Sequence, residues 1–280
     1  CDLMDSTLLP ALIALLGLIL GSFANVVIYR LPRIIDQEWQ SELDAYLVEQ
    51  GLKPAATESQ PALSLSLPRS HCPHCATPIR YRDLIPVVSW LFLRGRCAHC
   101  KTRISIRYPL VELVSAGLAV LAWQSTGDTL AALAIYGFSM TLVVGGIIDW
   151  NSQWLPDRIT LPLLWVGLFL ASINQNPLGL DLQHALWGAM AGYLTFWLMA
   201  TGFRLVTGRD GLGGGDTKLL AALGAWLGGL ALPQLLLMSS LLGLLIALWF
   251  RLRKVEQGEF PFGPALAASG LILFWHPLPL

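Results

Sequence analysis

Apolar runs at or near bilayer-spanning length recur along this chain, and they limit its fold more than any other feature. They occupy residues 8–28, 109–123, 130–148, 159–173, 185–206, 219–232, 235–250 and 264–274. A helix crosses membrane hydrocarbon in about 20 residues and satisfies its backbone polar groups within its own segment. Fifty-five per cent of residues are hydrophobic and 13% charged, with a mean hydropathy of +0.60. The class is an all-α polytopic membrane protein with about eight transmembrane helices. The first run lacks a basic start and continues at spanning length, so it reads as a span, not a cleavable signal. A formal net charge of zero argues against a nucleic-acid partner.

That zero hides an asymmetry. Of eighteen lysines and arginines, eleven lie between Arg30 and Arg107. The others are Arg158, Arg204, Arg209, Lys218, Arg251, Arg253 and Lys254. Eight crossings put all of them on one side of the membrane, and the opposite loops carry none. Lysine and arginine in short loops mark the cytoplasmic side. Both termini are therefore expected outside, and the large polar segment inside. The expected organisation is a first transmembrane helix over 1–30, a cytoplasmic domain over 31–107 and a transmembrane core over 108–280. Arg30, Pro32 and Arg33 stop the first span. An acidic, helix-like piece (36–50) and a Pro/Ser/Thr linker (53–66) follow. Within the first run Asn25 reads as an interhelical hydrogen-bonder. Gly188/Gly192 and Gly224/Gly228 have the small-xxx-small spacing of close helix contacts.

The polar segment carries two knuckles, His71-Cys72-Pro73-His74-Cys75 and Cys97-Ala98-His99-Cys100, 21 residues apart. Two CxxC pairs at such a separation are the spacing of a structural zinc site, whose four thiolates leave no open coordination position. Cys72, Cys75, Cys97 and Cys100 are the expected ligands, with His71, His74 and His99 as flanking residues. A reducing cytoplasm agrees with metal-bound thiols rather than disulfides.

Four carboxylates lie near the hydrocarbon: Glu112, Asp149, Asp157 and Asp216. Asp149 ends the third span, and Asp216 opens the sixth after the glycine-dense stretch Gly211-Leu212-Gly213-Gly214-Gly215. An ionisable group at such a position is a functional candidate; the plainer alternative for Asp216 is a helix N-cap. The glycines offer backbone conformations closed to other residues, close packing, and room for an extended peptide beside Asp216. The topology sets Asp149 and Asp216 on one membrane face at one depth. Two carboxyls that share a site divide one proton between them, and the pair then does acid–base hydrolysis. Asp157, after Pro156, reads as an N-cap. Glu112 suits pairing with Arg107 or complementing its helix dipole. Lys218 reads as an interfacial cation.

Other schemes fail on the residues. There is no HExxH, and no GK[ST] follows the glycines. A GxGxxG starting at Gly211 would need glycine where Asp216 stands. Ser139 lacks a histidine at its depth, since His184 and His276 fall on the outer side. An ion-coupled transporter would place its acids near the midplane and repeat its halves; here the acids cluster at one interface.

Taken together, Gly213-Gly214-Gly215-Asp216 with Lys218, Asp149…Leu155-Pro156-Asp157, Gly21-Ser22-Phe23…Asn25-Val26-Val27 and the two CxxC pairs resemble bacterial type IV prepilin peptidases. The likeness covers essentially the whole chain in matching order, with Ala24 where many members carry Leu. It implies a bifunctional enzyme of the bacterial inner membrane. Such an enzyme cuts the short basic leader from prepilins and pseudopilins after a glycine. It then methylates the new N-terminal amine with S-adenosylmethionine. The resemblance implies Asp149 and Asp216 for proteolysis and the four cysteines for zinc. The large cysteine-bearing loop favours the methylating members over those that are peptidases only.

Overall fold

The structure, a computed structural model, describes residues 2–52, 63–209, 211, 213–253 and 261–276. Part of the expected 53–66 linker and Lys254 lie outside the described residues. Among these the regular structure is helical, with two isolated bridges in the cysteine segment. The chain divides into two compact units, Cys1–Leu121 and Ala122–Leu280.

In the first unit α1 runs over Asp2–Glu49, 48 residues with Pro10 and Pro32 inside it, or about 70 Å of helix. Arg30, Pro32 and Arg33 are the residues expected to stop the first span. They end the apolar run, while the helix passes through Pro32 into the acidic piece. A helical proline removes one amide donor. Arg33 tightens the same turn by donating to the Tyr29 carbonyl at 2.6 Å and lying 3.7 Å over its ring. Between α1 and α3 (Arg107–Thr126) runs the cysteine segment, with a 3-10 turn at Tyr81–Leu84 and the short α2, Val88–Phe92.

α1 and α3 pack antiparallel along a small-residue seam. A methyl on Gly17 would stand 2.7 Å from the Ala116 Cα, and one on Gly21 2.7 Å from the Glu112 Cα. Ser115 Oγ donates to the Gly17 carbonyl at 2.5 Å. Asn25 Nδ2 donates to the Tyr108 carbonyl at 3.0 Å, the interhelical bond its position suggested. The buried Arg30 guanidinium donates to the carbonyls of Ser64 at 2.8 Å and Pro68 at 2.7 Å, fixing the chain that leads into the first knuckle.

The second unit packs α4 (Thr129–Ser152), α5 (Asp157–Ser172), α6 (Leu182–Thr207), α8 (Leu232–Leu252) and α9 (Gly263–Trp275) with α7 (Gly214–Leu227) at its core. Every residue of α7 from Leu219 to Leu227 is buried. A helix apolar on all sides belongs inside a bundle. Small residues let α6 approach it. Methyls on Gly188 and Gly224 would each collide with the other's backbone, and one on Gly192 would stand 2.5 Å from the Leu220 carbonyl. Gly228 instead ends α7 with φ +81°, a conformation glycine adopts without steric cost. Trp226 seats against Gly167 and donates to the Leu163 carbonyl at 2.8 Å, tying α7 to α5. Its ring meets Phe138, which also meets Phe274, both at 4.7 Å between centroids.

Among the described residues, three stretches are long and apolar enough to cross a membrane: Leu8–Glu49, Thr129–Ser152 and Gly229–Leu252. The 14 residues of α7 and 13 of α9 are shorter than a spanning helix. Both are largely buried among neighbours, so packing rather than length sets their extent.

Candidate active site and metal centre

Asp149 sits in the last turn of α4, and Asp216 in the first turn of α7. Both face the first residue of α9. A methyl group at Gly263 would stand 2.6 Å from Asp149 Oδ2 and 3.2 Å from Asp216 Oδ1. The two carboxylates, 67 residues apart in sequence, thus converge on one glycine within the second unit. Asp149 is 5% exposed, and its Oδ2 is buried with no hydrogen-bond partner among the described residues. Asp216 is half-buried. One acid is sealed in and the other reaches the outside, leaving an unanswered acceptor between them. Water, which offers two donors and two acceptors, suits that place.

Gly263 had no part in the expectations from sequence. Its signal is the Gly263-Pro264 pair opening the last apolar run, where proline suits a first helical turn. Only the fold explains the glycine: a side chain there would occupy the space between the acids.

The glycine stretch before Asp216 works differently from the conformational freedom expected of it. Gly213 has φ −68° and ψ +137°, and helix begins at Gly214. None of the described glycines from 211 to 215 has positive φ. The gain is close approach. A methyl at Gly215 would stand 2.9 Å from both Cβ and the carbonyl oxygen of Leu155, and one at Gly211 would collide with the Phe203 ring. Among the described residues nothing lies within 4 Å of a methyl at Gly214, and one at Gly213 meets only Asp216 Oδ2 at 3.8 Å. That leaves a lane beside Asp216.

Asp157 is not the N-cap expected of it. Pro156 holds that position, Asp157 is the first residue of α5, and no side chain caps the helix. Its carboxylate instead accepts from Lys218 Nζ at 2.6 Å on both oxygens. Lys218 therefore ties α7 to α5 half a turn beyond Asp216. Glu112 accepts from the Val87 amide at 2.7 Å rather than serving only its own helix. Ser139 is buried and accepts from Trp275 Nε1 at 3.2 Å, while His184 turns to Asp181 at 2.7 Å.

In the first unit the four cysteines are brought together by two copies of one turn. The amide of Cys72 donates to the Thr77 carbonyl, and that of Ala76 to the Cys72 carbonyl; Cys97, Thr102 and Lys101 repeat both bonds. Ala76 and Lys101 both take positive φ, and a β-bridge closes each knuckle, His71 to Pro78 and Arg96 to Arg103. All four sulfurs lie within 4.8 Å of one another, with Cys72 and Cys100 at 3.8 Å. Zinc–sulfur bonds of about 2.3 Å in a tetrahedron require sulfurs about 3.8 Å apart, so the donor set fits that metal. The Thr77 hydroxyl and amide hold the Cys75 thiol below its ordinary range. Thr102 does the same for Cys100, down to about 5, whereas burial and the neighbouring sulfurs push the Cys72 thiol up to about 11; thiolates are the ligating form.

Two acids thus meet over a glycine in a helical bundle, an arrangement whose chemistry suits acid–base hydrolysis. Residues 15–126 match the bacterial peptidase A24 N-terminal domain, and residues 136–248 the type IV leader peptidase family. Among relatives, the prepilin leader peptidase/N-methyltransferase of Neisseria gonorrhoeae is 45% identical over 266 residues, 94% of this chain and 89% of the relative. Its namesake in Dickeya chrysanthemi is 47% identical over 261 residues, 91% and 88% of the two chains. That of Aeromonas hydrophila is 46% identical over 272 residues, 95% and 90%. The chain belongs to the type IV leader peptidase family. No solved structure matches it significantly.

Proposed function

We propose that the chain is a bifunctional prepilin leader peptidase and N-methyltransferase of the bacterial inner membrane. It cuts prepilins and pseudopilins after a glycine, between a basic leader and a transmembrane helix, at the cytoplasmic face. It then methylates the new N-terminal residue, with S-adenosylmethionine as methyl donor. The meeting of Asp149 and Asp216 at Gly263 carries the proteolytic assignment. Eight helices cross the membrane, with the cysteine segment in the cytoplasm and both termini in the periplasm. Zinc in the Cys72, Cys75, Cys97 and Cys100 cluster is structural, because a full sulfur shell leaves no position for a reacting water.

In the peptidase step the ionised member of the pair takes a proton from water as its oxygen attacks the scissile carbonyl. The protonated member donates to the carbonyl oxygen, where charge develops. The C–N bond then breaks, and the departing amine takes up a proton from the pair. The shared proton belongs to both acids, so neither holds a fixed role. The substrate backbone enters past Gly213 and Gly214, where no side chain of the described residues other than Asp216 comes within 4 Å of the added methyl positions.

Asp149→Asn and Asp216→Asn test the assignment. Each should stay folded yet lose at least about 10²-fold in leader removal, the contribution of a positioned acid or base. A gel-shift assay with a prepilin in detergent reads this, and near-parental cleavage by either variant would reject the pair.

A further inference from the structure

We infer that residues 81–92 form a second membrane contact, in which the 3-10 turn and α2 lie in the headgroup layer and bind anionic lipid. This twelve-residue stretch joins the knuckles, and metal chemistry leaves it unexplained. Its apolar side chains face outward: Phe92 is 84% exposed, Tyr81 77% and Leu91 61%, with Leu84, Ile85 and Val88 also exposed. A soluble domain scatters such residues singly and seldom concentrates them in one short stretch.

Depth comes from Glu112. It lies one turn into α3, inside the apolar run 109–123, where Leu110, Leu113 and Val114 face outward. Its buried carboxylate accepts from the Val87 amide at 2.7 Å. Val87 has φ +59° and ψ −50°, a region where a β-branched residue is strained. The carboxylate thus holds a strained corner of the cysteine segment at the level of the first turn of α3. The exposed residues on either side of Val87 are therefore tethered at that level of α3.

Charge selects the lipid. Arg80, Arg94 and Arg96 flank the stretch and Arg82 lies within it, against a single acid, Asp83, which lies 3.9 Å from Arg82. Aromatic and aliphatic groups rimmed by arginine are the composition of an interfacial segment on an anionic leaflet. This inference rests on α3 entering a bilayer and is independent of the carboxylate pair.

The test uses the full-length enzyme in nanodiscs of phosphatidylcholine, with and without phosphatidylglycerol. Benzoylphenylalanine replaces Phe92 or, as a control on the α1 extension, Ser41. Irradiation should give lipid-mass adducts several-fold more often at 92 than at 41. Phosphatidylglycerol should exceed its mole fraction among them, and Arg94→Gln with Arg96→Gln should remove that excess. Leader cleavage by the same samples reports folding and tests the peptidase assignment separately. On the unmodified enzyme, amide exchange over 81–92 should slow when phosphatidylglycerol is added. Equal labelling at 92 and 41, or crosslinking at 92 to a second enzyme copy in place of lipid, overturns the inference. So does amide exchange indifferent to the anionic lipid.

Discussion

Gly263 has a narrow steric task. Its missing side chain leaves room for both carboxylates, and the smallest addition would press on Asp149 Oδ2 at 2.6 Å. Alanine suits a helix better than glycine, so Gly263→Ala should change thermal stability little while displacing Asp149 or filling the space a reacting water would need. Misplacement of reacting groups by about 1 Å is worth about 10²-fold in rate. Leader cleavage should fall by that order, with circular dichroism and melting near the parent's; an active Gly263→Ala enzyme would refute the steric role. The two acids were legible in the sequence because each marks the end of an apolar run on one predicted face. Gly263 was not, because its meaning depends on α9 packing against α4 and α7. Nothing local in Gly263-Pro264 distinguishes a packing glycine from one that makes room for chemistry.

Among elements, the starts of α5 and α7 are held together at two points on either side of Asp216. Gly215 lies against the Leu155 backbone, and Lys218 grips Asp157. The ion pair is partly exposed, with side chains 33% and 54% accessible, so its worth to global stability is at most about 1 kcal/mol. Its effect should instead be on where Asp216 points. Lys218→Met should lower kcat for leader cleavage several-fold with the melting point nearly unchanged, and Lys218→Asp with Asp157→Lys should restore part of it. Additive losses in that double-mutant cycle would deny the coupling. The sequence concealed this pair because 61 residues separate its members, and an aspartate after proline resembles an ordinary helix cap. The knuckles were the opposite case: ligand spacing and chemistry are both local, so the four sulfurs cluster as expected. The parent enzyme should hold about one zinc per chain by metal analysis, and Cys72→Ser with Cys75→Ser should abolish it. A parent without zinc would exclude that metal.

For the molecule as a whole, the site itself constrains the directions of the helices in the second unit. Asp149 closes α4, Asp157 opens α5, Asp216 and Lys218 open α7, and Gly263 opens α9. These meet only if α4 through α9 alternate in direction, so that each group emerges at one end of the bundle. The lysine and arginine distribution predicts the same alternation from unrelated physics, through Arg158, Arg204, Arg209, Arg251 and Arg253. In the first unit, Asn25 near the end of the first apolar run meets Tyr108 at the start of α3. The cysteine segment therefore leaves and re-enters at one level. The alternation puts the α3–α4 and α5–α6 loops opposite the end that holds Asp149 and Asp216. Thr126→Cys and Gln175→Cys should accept a membrane-impermeant maleimide added outside intact cells, whereas Arg209→Cys should react only after permeabilisation. Outside labelling of position 209 would place the basic loops in the periplasm. That outcome would separate the carboxylate pair from any leader retained in the cytoplasm, even with every distance at Gly263 unchanged.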